Sequence, residues 1–452
     1  MINVLIIKEV LVMIHTFELS KVISQDVYEE LTNNLTGIYH NKRIWLTTGY
    51  EEQGISIIRL YKFKPKRKNK QGQKVELANE PYRYMIALSI NVGVMFGRDG
   101  YLANDILTFT PDFCKAIYNR IYELIPWLEF NTPYKALGIS ELNATGHSAN
   151  MDRHYEYNAF KLRRIDFTFD IQTMADQYMT LIERGYCIRR QSYERCYFED
   201  DELLEEIEDD ESDIEDMEDD ELEEYTSDTS YIYYKSKSLN INIYNKGQQL
   251  KRDKLIHGNN TSYDYLRIEV QVKKSKLNAI KIKFDLKGRE LQYIATPVVE
   301  EYVLKSYVKA LTGTGIYVSY NKALDIIGSS KFTTPKKDRL KKLIKAISDK
   351  HGIANVLEQI EDGTITDLGK LVTVQNYLRE IHSMGINPVT LSFRMNVPKT
   401  ELTNVADGTD TMKEQVLLGL VDVLNAYGSQ TQDYQQNGRP ITDEDYKQIS
   451  QL

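Results

Sequence analysis

Three short segments alternate functional groups with apolar side chains at a period of two. In residues 164–171 one set of alternate positions carries Arg164, Asp166, Thr168 and Asp170, and the other carries Ile165, Phe167, Phe169 and Ile171. Residues 239–246 place Asn240, Asn242, Tyr244 and Lys246 on one set. Residues 266–273 place Arg267, Glu269, Gln271 and Lys273 over Leu266, Ile268, Val270 and Val272. Residues two apart in a strand share a face, so each segment predicts a strand with one apolar and one functional face. As neighbours in one antiparallel sheet, the three would gather carboxylates, a phenol and cations on its open side.

That set suits phosphoryl transfer. Asp166 and Glu269 offer the hard oxygen ligands that hold Mg2+ or Mn2+, an ion that polarises a scissile phosphate. Tyr244 is the candidate nucleophile. Lys246 and Arg267 would offset phosphate charge or help to deprotonate a phenol whose ordinary pKa is about 10. The competing reading is a solvated sheet face, on which Asp opposite Arg is ordinary cross-strand pairing. Tyr231, Tyr233, Tyr234, Tyr263 and Tyr265 lie nearby but lack the strand-then-lysine context.

R-I-D-F-T-F-D at 164–170, N-I-Y-N-K-G-Q-Q-L-K-R-D at 242–253 and L-R-I-E-V-Q-V-K at 266–273, in that order, resemble the motifs of rolling-circle replication initiators. The resemblance is to the plasmid and phage proteins of Gram-positive hosts with a Rep_trans-type nicking domain. It covers roughly residues 150–395, less the acidic run that begins at Glu199, and includes M-G-I-N-P-V at 384–389. It implies that Tyr244, in the Y-x-K motif, nicks one strand to give a 5'-phosphotyrosine and a free 3'-hydroxyl. It implies that Asp166 and Glu269 are metal ligands or neighbours of ligands, with Mg2+ or Mn2+ as cofactor. The partners implied are origin DNA, single-stranded or hairpin, and a host helicase. The His-hydrophobic-His pair of the wider nickase superfamily is absent, and this group is not expected to have it. His154 is either a ligand or a packing residue. A non-catalytic origin-binding protein or repressor, and a conjugative-transfer relaxase, are the alternative functions.

The elements that must position these residues read as α+β. Residues 1–330 are expected to form an antiparallel-sheet nicking domain with helices on one face. A small all-α, helix-turn-helix-like domain is expected at 331–398, and a polar, partly disordered tail at 399–452. Thr110, Pro111 and Asp112 announce a helix start, and Thr296 before Pro297 announces another. A helix near 174–184 should stop at Gly185.

The charge of -9 conceals an asymmetry. Nineteen of the 66 acidic residues lie between Glu199 and Glu224, without a single Lys or Arg; 47 acidic residues remain against 57 basic, about +10. The run reads as a disordered insert over 199–226, and the basic remainder suits nucleic acid. Lys66, Arg67 and Lys68, in a loop with seven basic residues between Lys62 and Lys74, are candidate phosphate contacts; so are Lys336, Lys337 and Arg339 on a helix. The alternative is a solvated turn and a solvated helix face. Three cysteines without CxxC spacing argue against a disulfide framework or structural zinc and for the cytoplasm. The apolar N-terminus is too short and interrupted to span a bilayer, and translation could begin at Met13. A homodimer is compatible with the sequence. No Walker-type loop is present, so a motor of its own is not expected.

Overall fold

The three alternating segments are strands of one antiparallel sheet. In the computed structural model, the residues described are 10–41, 44–47, 49–64, 66–68, 74–76, 81–97, 104–105, 109–128, 160–171, 175–185, 231–235, 238–252, 265–392, 394–395, 399–403 and 411–425. In chain order the strands are β1 (Val10–Ile23), β2 (Ile38–Asn41), β3 (Ile44–Thr47), β4 (Ile55–Phe63), β5 (Lys66–Lys68), β6 (Lys74–Glu76), β7 (Arg83–Ile90), β8 (Asn104–Asp105), β9 (Lys161–Ile171), β10 (Tyr231–Lys235), β11 (Leu239–Asn245), β12 (Leu266–Lys273), β13 (Tyr317–Val318), β14 (Lys399–Thr403) and β15 (Thr411–Leu417). The helices are α1 (Gln25–Asn34), α2 (Val92–Met95), α3 (Pro111–Leu124), α4 (Ala175–Arg184), α5 (Lys246–Arg252), α6 (Lys274–Lys283), α7 (Leu291–Ile294), α8 (Pro297–Thr312), α9 (Tyr320–Ser329), α10 (Thr334–Asp349), α11 (Ile353–Glu361) and α12 (Leu371–Ser383).

The large sheet runs β10-β11-β12-β9-β1-β7-β4-β3-β2, with β8 pairing to β1. Its apolar face carries Ile165, Phe167, Phe169, Ile268, Val270 and Ile243, all fully buried. Buried residues of α1, α3, α4, α6 and α8 join the same apolar cluster, so these helices cover that face, as the alternation requires. The cap of α3 is the expected one: the Thr110 hydroxyl accepts from the Phe113 amide at 3.2 Å, with Pro111 in the first turn. At α8 the boundary is right but the device is not, because the Thr296 side chain makes no capping bond. The apolar stretch 84–96 forms two elements: β7 ends at Ile90, and Asn91 caps α2 by accepting from the Val94 amide.

Beyond residue 331 come α10, α11 and α12, and their buried Leu340, Leu343, Ile344, Val374 and Leu378 join the same cluster as the sheet's helices. The segment after α12 returns to the start of α9. The Ile316 amide donates to Gly385 O at 3.0 Å, the Asn387 amide to Ile316 O at 2.8 Å, and the Leu391 amide to Val318 O at 2.8 Å. Gly315, at φ +90°, allows this approach: a Cβ there would lie 2.7 Å from the Ile386 carbonyl carbon. Within the polar C-terminal stretch, β15 pairs with β13, and Val416, Leu417, Leu420, Val423 and Leu424 are buried. The acidic insert over 199–226 and residues 426–452 lie outside the described residues.

Candidate active site

Register places the polar residues in rows across three strands, β11, β12 and β9. Tyr244 pairs with Arg267 and Arg267 with Asp170; Asn242 pairs with Glu269 and Glu269 with Thr168; Asn240 pairs with Gln271 and Gln271 with Asp166. Asp166, Arg267, Glu269 and Tyr244 are thereby brought to one face, with Lys246 where β11 turns into α5. This face is not open, as the alternation alone suggests. Asp166, Asp170 and Arg267 are 1% exposed or less, and Lys246, Glu269 and Tyr244 are 4–6% exposed. Charges sit this deep only when paired, and these are paired.

The Arg267 guanidinium grips Asp170 in a fork, Nε to Oδ1 at 2.8 Å and Nη2 to Oδ2 at 2.6 Å. Its remaining Nη1 lies 3.8 Å from Glu269 Oε1. Tyr244 Oη donates to Glu269 Oε1 at 2.7 Å, and Asn242 Nδ2 donates to Oε2 at 3.3 Å. Arg164 Nε lies 3.0 Å from Asp166 Oδ1. Lys246 Nζ donates to Gln249 Oε1 at 2.8 Å and stands 5.8 Å from the Tyr244 ring centroid.

Two members of the cluster escape a reading by alternation. His15 Nδ1 lies 3.3 Å from Glu269 Oε1, and the Thr16 hydroxyl donates to Asp166 Oδ2. Neighbours in a regular strand point to opposite faces. Here the β1–β9 register shifts between Ile14 and Phe17, and such a bulge re-aims side chains. Ile14 and Phe17 both stay in the core, while the two residues between them serve the polar face. The sequence holds one faint signal, two apolar core residues three apart in a strand.

The electrostatics follow from burial and pairing. Burial, then the Glu269 carboxylate, push the Tyr244 phenol well above 10. Burial works against ionisation of Glu269, and its neighbours outweigh it: His15 when charged, then Arg267 and the Tyr244 hydroxyl. Burial lowers His15 to about 3, so at neutral pH its imidazole is uncharged and Arg267 and Tyr244 keep Glu269 ionised. Burial raises Asp166 to about 6, with Arg164 acting in the opposite sense. Burial also opposes the charge of Arg267, which Asp170 nevertheless holds protonated. Arg267 Nη1, Thr168 Oγ1 and Asn242 Oδ1 are buried without a hydrogen-bond partner among the described residues, so the cluster keeps polar capacity that its own residues do not use.

The donor chemistry of His15, Asp166 and Glu269 suits a divalent cation, but their placement does not. Among the described residues no three His, Cys, Asp or Glu side chains converge as metal ligands. Arg164 and Arg267 take up the carboxylates instead. His154 lies outside the described residues.

The candidate DNA contacts are not gathered at this cluster. Lys336 Nζ bonds Glu380 of α12 at 2.6 Å and lies 4.9 Å from the Phe332 ring centroid. Lys337 Nζ donates to Gly328 O at 2.8 Å, and Arg339 Nη1 to Tyr377 Oη at 3.2 Å. All three tie helices together. The backbone of Lys66–Lys68 pairs with β6 as a two-stranded ribbon, while the side chains of Lys66, Arg67 and Lys68 lie outside the described part. No described helix is long and apolar enough to cross a membrane.

No family model matches the chain, and no curated protein does. Among solved structures, the chain is similar over 61% of its length, and 80% of the other chain, to a rolling circle replication initiator protein from Geobacillus stearothermophilus, at 12% identity and a TM-score of 0.19. So loose a superposition carries no argument about the site.

Proposed function

We propose that the protein is a replication initiator that nicks one strand of its origin with Tyr244. The observation that carries this reading is the Tyr244–Glu269 hydrogen bond of 2.7 Å, set beside Arg267 on adjacent strands. Tyr244 Oη would attack the scissile phosphorus, forming a phosphotyrosine as the bond from phosphorus to the 3'-oxygen breaks. The phenol proton would pass to Glu269, which already accepts it in a hydrogen bond. A phenol held well above its ordinary pKa is a poor nucleophile until that transfer. Arg267 Nη1 and the Thr168 hydroxyl, both without hydrogen-bond partners among the described residues, are donors available to a phosphate oxygen. Because Tyr244 is buried, the substrate strand must part the polar face to reach it.

Mg2+ or Mn2+, implied by the motif resemblance, would add Lewis-acid polarisation of the phosphate. As the residues stand, only His15 offers it a donor: with Nδ1 turned to Glu269 as the carboxylate behind the ring, a neutral imidazole leaves Nε2 for an ion. Asp166 would join it only if its pairing with Arg164 opened.

The second reading is a non-catalytic origin-binding protein. Its supporting observation is the same burial of Tyr244, which a purely structural polar core would also require. Denaturing electrophoresis after incubation with labelled single-stranded origin DNA separates the two, using wild type and Tyr244→Phe with Mg2+, Mn2+ or EDTA. The expected result is a covalent adduct that Tyr244→Phe abolishes. An adduct that survives in EDTA would leave charge neutralisation to Arg267 and Lys246. Tight origin binding with neither adduct nor cleavage would favour the second reading.

A further inference from the structure

Well away from Tyr244 in the fold, a cavity of about 450 Å3 opens where the end of α4, the start of α9, the end of α10 and the segment after α12 meet. Its volume falls in the range of small-ligand sites. No acidic side chain lines it. Its walls divide chemically. Ile347, Val389 and Leu391 give a buried apolar side, with the half-buried Tyr320 ring beside them. The polar lining includes Arg184, which makes no ion pair among the described residues, and the N-terminus of the ten-residue helix α9.

That helix end presents amide N–H groups of its first turn, the positive pole of the helix dipole. Ser319 caps only the Lys322 amide, at 3.4 Å. A second feature lies on the segment that pairs with Ser319. Thr390 is 8% exposed and lines it, yet its hydroxyl has no hydrogen-bond partner among the described residues. That hydroxyl is not sealed inside the protein, so a molecule in the cavity can bond to it. The cavity therefore gathers a guanidinium and a hydroxyl that have no partner among the described residues, together with helix N-terminal amides and an apolar wall.

We infer that this cavity binds a nucleotide through its phosphate. The phosphate would lie between Arg184, the α9 amides and the Thr390 hydroxyl, and the apolar body against Tyr320, Ile347 and Leu391. The phosphate has two sources, a free mononucleotide or one nucleotide of a DNA strand crossing this surface. Binding here does not depend on Tyr244.

The test is calorimetric titration of the full-length protein with inorganic phosphate, deoxyadenosine monophosphate and a short single-stranded oligonucleotide. Wild type, Arg184→Gln and Thr390→Val are compared. Saturable binding of the mononucleotide is expected, weakened about tenfold or more by Arg184→Gln and several-fold by Thr390→Val. Competition between mononucleotide and oligonucleotide would assign the site to a DNA strand, and independent binding to a free nucleotide. Arg184 is half-buried and makes no ion pair among the described residues, so Arg184→Gln should keep the wild-type melting temperature, and binding lost with that temperature unchanged supports the inference. No saturable binding of any of the three ligands at millimolar concentration overturns it. So does mononucleotide binding that Arg184→Gln leaves untouched.

Discussion

Arg267 and Asp170 meet through two parallel hydrogen bonds of 2.8 and 2.6 Å, with neither side chain accessible to solvent. The pair links β12 to β9 and aims the third guanidinium nitrogen at Glu269. Arg267→Gln would leave the Asp170 carboxylate buried and uncompensated. It should destabilise the fold by about 3–5 kcal/mol, seen as a lower denaturation midpoint with an unchanged slope in urea.

Glu269→Gln keeps the shape and can still meet Asn242, but it accepts a proton far less readily. Cleavage should fall by about 10²–10⁴-fold. The residual rate should climb with pH beyond the point where the wild-type rate levels, because the phenol must then ionise unaided. Single-turnover rates across pH 6–10 check both parts.

His15→Ala removes an uncharged ring at the margin of the cluster. Stability should change by no more than about 2 kcal/mol, while adduct formation drops by about 100-fold. If His15 holds the divalent ion, raising Mn2+ should restore part of the lost rate, since altered coordination typically costs 10–100-fold in metal affinity. A rate that does not respond to Mn2+ would assign His15 to the orientation of Glu269 alone.

His382 gives a pH signature independent of the cluster. Its Nδ1 lies 2.7 Å from Thr314 O, and burial holds its pKa below 6.5. The folded protein therefore resists a proton that the unfolded chain accepts, so this group's contribution is complete above about pH 6.5 and is lost as pH falls through the folded value. His382→Asn retains a donor toward Thr314 and cannot titrate. Its melting temperature should decline less than that of the wild type between pH 7 and 5.

What the sequence made legible was whatever repeats regularly. Strand alternation located β9, β11 and β12, the apolar face and the polar residues that share the other. The Thr110–Pro111 signal located α3, because capping is a local interaction. What stayed hidden depends on irregularity or on long-range pairing. His15 and Thr16 reach the cluster through a bulge, which periodicity cannot report. The burial of the polar face follows from ion pairs between strands about a hundred residues apart. Lys336, Lys337 and Arg339 read as a free basic helix face, yet each finds a partner on a neighbouring helix or its end. In the polar C-terminal stretch, the buried residues 416–424 show their role only once β15 has met β13.

The strand order also sets a schedule for synthesis. β9 gains one neighbour from β1, made before it, but its other neighbour is β12, which begins 95 residues after β9 ends. At a translation rate of roughly 5–20 residues per second, the nascent chain waits on the order of 5–20 s with that side of β9 open. Throughout the wait Asp170 lacks the cation that β12 will bring, and it stands hydrated and negative. A charge on a waiting strand discourages another chain from pairing along it. The carboxylate that Arg267 later grips thus protects β9 on the ribosome before Arg267 has been made.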